Sequence, residues 1–172
     1  MPKDPAPSII RRPAIDQLEQ LPVTYESVID EEYVDSNGHM NVAWYLHLFN
    51  KATGGLHRWL GFDWPQLKAG GVSSFVLEGH IRYLAEVFEG QQVTLRSRLI
   101  ARSARRLQYL HFMFNEDKRT LAATYEEVLA HMDMKTRRMK EYAPSLAAQL
   151  DRGLAEHQTL SWEPPICGSL RV

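Results

Sequence analysis

The stretch VDSNGHMNVAWY, Val34 to Tyr45, sets Asp35, Gly38, His39 and Asn41 directly ahead of an apolar, aromatic run. From Val42 to Leu60, the residues Tyr45, Phe49, Ala52, Leu56 and Trp59 recur at spacings of three and four, and Trp44 and Leu48 widen the stripe. That period predicts one long amphipathic helix, about 28 Å long by its rise per residue. Gly61 is a natural stop. Asn37 or Asn41 can cap the start, and Gly38 admits a backbone conformation that other residues resist. Gly54 and Gly55 inside the helix each cost about 1 kcal/mol relative to alanine. Close approach of another backbone, such as a sheet wrapped around the helix, accounts for them.

Upstream, Val23 to Val34 reads as a strand, with Glu31-Glu32 as a bulge or turn. Downstream, after a turn at residues 68–71, four strand-like runs follow: Ser73 to Tyr83, Gln91 to Arg102, Leu107 to Asn115 and Thr120 to Asp133. Their short separators predict antiparallel hairpins. In the third of these runs Tyr109 and Met113 point one way, and Leu110, Phe112 and Phe114 the other. Both faces there carry large apolar groups. One face covers the helix, and the other predicts an oligomer. From Pro144, SLAAQLDRGLAEH reads as a short helix, followed by an irregular tail. Pro2, Pro5, Pro7, Pro13 and Pro22 mark residues 1–22 as an extended arm or disordered tail. The expected fold is α+β, one long helix against a five-stranded antiparallel sheet. The expected division is an arm at 1–22, a domain at 23–143, and a short C-terminal helix with its tail at 144–172.

The totals narrow the function. A chain of 172 residues suits one domain with a real core. A net charge of −1 predicts no global attraction to nucleic acid or anionic membrane. The lone cysteine, Cys167, fits a reducing compartment and reads as a free thiol in the tail. No signal peptide and no membrane-length apolar run is read, so a cytoplasmic protein is expected. His39 and His47 lie eight apart, and no Cys/His pairs have zinc spacing. Gly-rich phosphate loops and a Gly-x-Ser-x-Gly elbow are also missing, so neither metal nor cofactor is expected.

DSNGHMN resembles the Asp-x-x-Gly-His-x-Asn signature of hotdog-fold thioesterases in the 4-hydroxybenzoyl-CoA thioesterase-like group. Tyr45 sits where these proteins usually carry a tyrosine, and HMDMKTRRMKEYAP resembles the group's last strand and basic turn. FVLEGHIRYLAEVFEG, Phe75 to Gly90, is similar to a narrower branch, the carnitine-breakdown thioesterases that cleave betainyl-CoA. The resemblance implies a hotdog fold, hydrolysis of a short acyl-CoA without a cofactor, and a homodimer joined edge to edge or a homotetramer. It implies Asp35, His39 and Asn41 as catalytic residues. Gly38, Met40, Trp44, Tyr45, Glu78 and His80 fall on the substrate side. Val42 departs from the polar residue common at that position.

The chemistry asks for such groups. A carboxylate at Asp35 can take a proton from water or attack the thioester itself; otherwise it is a turn residue. The helix start offers N–H groups that lack partners, at the positive end of the dipole, as an oxyanion hole. His39 is either a site residue or a structural histidine, and Asn41 is either a cap or catalytic. Glu78, inside an apolar strand, needs a partner. That partner is either Arg96 or Arg98 on a neighbouring strand, or a cationic acyl group. Trp44, Trp59, Trp64 and Tyr83 would add aromatic faces for a quaternary ammonium, or else are core. The clusters Arg96, Arg98, Arg102, Arg105, Arg106 and Lys135, Arg137, Arg138, Lys140 suit coenzyme A phosphates or a solvated edge. Two other readings remain: a hotdog hydratase or dehydratase, and a non-catalytic acyl-CoA-binding scaffold.

Overall fold

The computed structural model describes residues 12–62 and 64–172, so the first half of the proline-rich arm lies outside the described residues. Its elements are α1 (Ile15–Glu19), β1 (Val23–Val28), a 3-10 turn (Glu31–Tyr33), α2 (Val42–Trp59), α3 (Trp64–Ala69), β2 (Val72–Tyr83), β3 (Gln92–Arg102), β4 (Arg106–Asn115), β5 (Thr120–Asp133), β6 (Arg138–Met139) and α4 (Pro144–Gln158). The strands form one antiparallel sheet in the order β1-β3-β4-β5-β2, and the two-residue β6 pairs with the end of β5. Helix α2 lies along one face of this sheet, which is the hotdog arrangement.

The apolar stripe of α2 places Tyr45, Leu48, Phe49, Ala52 and Leu56 in the core. They pack against Leu95, Met113 and Tyr125 toward the start of the helix, and against Tyr109 and Leu129 toward its end. Alternation along β4 sends Tyr109 and Met113 to this face and Leu110, Phe112 and Phe114 to the other. A methyl group on Gly55 would land inside the Thr24 carbonyl of β1, so the strand backbone rests directly on the helix. At Gly54 a Cβ would meet only side chains at 3.6 Å, an ordinary contact. Backbone approach therefore explains one of the two glycines.

Two expectations change. The arm is not extended throughout, because Ile15–Glu19 form α1. The outer face of the sheet is not bare either. Leu18 and Leu21, at α1, and Trp162 from the C-terminal tail pack over Leu110, Phe112, Phe114 and Leu121. The chain thus covers its own apolar surface, and that face no longer argues for an oligomer.

Arginines of β3 fasten these coverings. Arg96 Nη1 donates to Leu21 O at 2.8 Å, and Arg98 Nη1 donates to Trp162 O at 2.8 Å. The Arg98 guanidinium also sits 4.3 Å over the Trp162 ring. Arg102 pairs with Asp151 of α4. These three are neither a solvated edge nor a free phosphate clamp. Arg96 and Arg98 cannot partner Glu78 either, because β4 and β5 separate β3 from β2.

Candidate active site

The loop between the 3-10 turn and α2 is a compact hydrogen-bonded unit. Val34 and Met40 form an isolated antiparallel bridge. Asp35 N–H donates to His39 O at 3.2 Å, and Gly38 N–H donates to Asp35 O at 2.9 Å. Closing the turn puts Gly38 at φ 81°, the left-handed region that glycine enters without steric cost. Met40 is buried, and its N–H donates to Val87 O, anchoring the loop to the segment after β2.

The Asp35 side chain is held at both oxygens. Oδ1 accepts from Asn37 N–H at 2.8 Å, and Oδ2 accepts from Asn41 Nδ2 at 2.9 Å. The Asn37 backbone N–H and then the Asn41 amide hold this carboxyl below its ordinary range. It is an oriented anion at neutral pH, suited to accept a proton or to attack a carbonyl carbon. No arginine or lysine pairs with it among the described ion pairs.

Asn41 serves both sides. Its Oδ1 accepts from Ala43 N–H at 3.0 Å as the N-cap of α2, and its own N–H donates to Tyr33 O. Trp44 N–H donates to Asn41 O at 3.0 Å. The first turn is therefore less open than its position alone suggests. Among the described residues, the Val42 N–H is the first-turn donor left without a partner, one residue past the asparagine that orients Asp35. This donor is a backbone group, so the apolar side chain of Val42 does not remove it.

Val42 lines a cavity of about 310 Å³ with His39, Met40, Tyr45, Tyr83, Ala85 and Glu86 among its walls. His39 Nε2 lies 3.6 Å from Glu86 Oε1, and its Nδ1 lies 3.3 Å from Met40 O. Tyr45 stands edge-on to Tyr83 at 5.1 Å and donates to Ala85 O, and burial pushes its hydroxyl up to about 12. Trp44 stacks on Tyr33 at 4.2 Å, which fixes the loop entry. The structure thus sets His39, Met40, Val42 and Tyr45 around this cavity and joins Asp35, Gly38 and Asn41 in the adjoining hydrogen-bonded loop, with Asp35 outside the cavity's lining residues.

Glu78 and His80 are not in that group. They alternate with Gly79 and Ile81 on β2, and Ile81 packs on the helix side. Both therefore point to the outer face, where His80 pairs in register with Glu126. Trp59 stacks on His157 at 4.9 Å, and Trp64 sits edge-on to His57, so both act as packing residues.

The loop reading missed a second cavity. It measures about 470 Å³ and is lined by Ala43, Leu46, His47, Asn50, Val76, Tyr125 and Glu127. The signal was present in ATYEEVLAH: two adjacent acids within an apolar strand. Of the pair, Glu126 points outward and accepts from Gln108 Nε2 at 2.7 Å and from Cys167 N–H. Glu127 points toward α2. Among the described residues no group of at least three His, Cys, Asp or Glu is placed to hold a metal, and no helix is long and apolar enough to cross a membrane.

Residues 30–150 match the family model of the thioesterase-like superfamily. Betainyl-CoA thioesterase of Pseudomonas aeruginosa is 32% identical over 143 residues, covering 83% of this chain and 90% of that one. L-carnitine dehydrogenase/betainyl-CoA thioesterase of Agrobacterium fabrum is 37% identical over 134 residues, 78% of this chain. The match spans only 27% of that longer relative. Among solved structures, a hypothetical protein of Staphylococcus aureus in complex with CoA superposes with a TM-score of 0.77 at 22% identity, covering 88% of this chain and 96% of that one. DHNA-CoA thioesterase from the same species gives a TM-score of 0.73 at 22% identity, covering 78% and 92%.

Proposed function

The chain belongs to the thioesterase-like superfamily, and from that premise we propose that it hydrolyses a short acyl-CoA thioester, betainyl-CoA being the preferred substrate. The observation that carries the mechanism is the Asn41 side chain, which orients Asp35 with one atom and caps α2 with another. A thioester whose carbonyl oxygen accepts from Val42 N–H lies beside Asp35. The amide and the helix dipole stabilise the negative charge that grows on that oxygen. Asp35 then either takes a proton from the attacking water or attacks the carbonyl carbon, giving an anhydride that water opens. In both routes the C–S bond breaks and the thiolate of coenzyme A leaves. His39 borders the same cavity and can orient the water.

The substrate reading rests on the Pseudomonas and Agrobacterium relatives, and it covers the thioesterase reaction alone. A dimer fits the free edge of β2, where Phe75, Val76 and Leu77 are exposed in succession. The test is release of free thiol from a panel of acyl-CoA substrates by wild type and Asp35→Asn. We expect turnover by the wild type and a loss of about 100-fold or more in the variant, as for removal of a base or nucleophile. An Asp35→Asn enzyme of full activity removes the mechanism. Absorbance change at an acyl double bond without thiol release points to a hydratase.

A further inference from the structure

Glu127 is a buried carboxylate without a cation. The residue is 2% exposed. Tyr109 Oη donates to its Oε1 at 2.9 Å, and the Tyr125 hydroxyl bonds to it as well. No described ion pair includes it. An unpaired carboxylate away from water is costly. Burial accordingly raises its pKa to about 7, against the lowering effect of both tyrosines.

The network behind it resists collapse. Thr53 Oγ1 lies 3.2 Å from Tyr109 Oη and 3.1 Å from His111 Nε2, while His111 Nδ1 lies 2.7 Å from Ser97 Oγ. Ser97 in turn lies 2.7 Å from Thr24 Oγ1. This polar chain crosses the core and ends in a carboxylate that faces a cavity. For packing alone, a glutamine or an apolar residue would serve with less penalty. What the arrangement lacks is a positive charge, and the cavity has room for one.

We infer that Glu127 is a specificity-determining residue: it supplies the counter-charge for a cationic acyl group, a quaternary ammonium, bound between α2 and β2. This rests on the thioesterase reading and assigns to Glu127 the role expected of Glu78. Ala43, in the first turn of α2, and Asn50, two turns on, line the same cavity, which therefore runs from the helix start toward Glu127. Leu46, Val76 and the Tyr125 ring give apolar walls for the methyl groups. A quaternary ammonium has no N–H to donate. It suits a site whose carboxylate already holds tyrosine hydroxyls and needs charge more than another hydrogen bond.

The test compares trimethylammonioacetyl-CoA with 3,3-dimethylbutanoyl-CoA, which has the same shape without the charge, in wild type and Glu127→Gln. We expect Glu127→Gln to lower kcat/KM for the cationic thioester at least about tenfold more than for the neutral one. Equal losses, or none, overturn the inference. Asn50→Lys is the second variant. A lysine on the exposed rim would neutralise Glu127 from within, so the same loss of preference is expected without touching the core. Calorimetric titration with tetramethylammonium separates this inference from the reading it rests on. Saturable binding that Glu127→Gln abolishes supports the cation site even if no thioester is cleaved. An enzyme that cleaves thioesters but binds no tetramethylammonium ends the inference and leaves the thioesterase reading intact.

Discussion

Asn41 Nδ2 stands 2.9 Å from Asp35 Oδ2, while Oδ1 of the same side chain stands 3.0 Å from Ala43 N–H. One amide thus ties the Asp35 carboxylate to the N-terminal end of α2. Serine can replace the cap but not the reach to Asp35. Asn41→Ala is expected to cost about 1 kcal/mol of stability through the lost cap, together with activity. Asn41→Ser is expected to keep the melting temperature and still lose about tenfold or more in kcat, since a hydrogen bond to a charged group is gone. Denaturation and thiol-release rates on both variants check the split. A Ser variant with full activity contradicts the orienting role.

The two carboxylates separate in pH. Asp35 is held low, so its carboxylate stays charged as pH falls, and that charge is lost only below the ordinary aspartate range. Glu127, at about 7, loses its charge as pH falls through neutrality. Facing it are Tyr109 of β4, Tyr125 of β5 and His47 of α2, with no fixed cation. With the neutral thioester, kcat/KM should lack a step near pH 7 that the cationic one shows, and Glu127→Gln should erase that step. The comparison uses the ratio of the two profiles, so groups that act on both substrates cancel.

Gly54 and Gly55 should respond in opposite ways. Gly55→Ala drives a methyl into the Thr24 carbonyl, and overpacking against backbone should cost about 3 kcal/mol or more. Gly54→Ala meets only ordinary contacts and should be neutral or stabilise by up to about 1 kcal/mol. Urea midpoints of the two variants measure the difference.

Buried histidines set acid stability. Burial lowers His57 and His157 to about 4 and His111 to about 3, so all are neutral in the fold. Between these values and the unfolded value of about 6.5, the unfolded chain binds more protons. Stability should therefore fall as pH drops from about 6.5 toward 4. His57 is packed against Phe62 and Trp64, and its Nδ1 has no hydrogen-bond partner. His57→Leu should flatten the acid decline of the melting temperature and change little at pH 7.5.

Local patterns reached far in this chain. The stripe from Tyr45 to Trp59 gave α2, and the runs between Ser73 and Asp133 gave β2 to β5 within a residue at each end. The resemblance of DSNGHMN led to the loop around Asp35. What escaped were pairings between distant residues. Glu78 and Glu127 look alike as acids in apolar strands, and only the β2–β5 register decides which one faces the helix. Likewise nothing near Arg98 marks it as the partner of Trp162, sixty-four positions away. α3 was missed because WPQLKA is too short for a helical period to show.

The two segments that close the back of the sheet are made at different times. Leu18 and Leu21 leave the ribosome before the strands they cover, whereas Trp162 follows long after Phe112. Throughout that interval a nascent chain leaves part of that greasy surface bare, so its exposure to chaperones and proteases is timed by the arrival of Trp162.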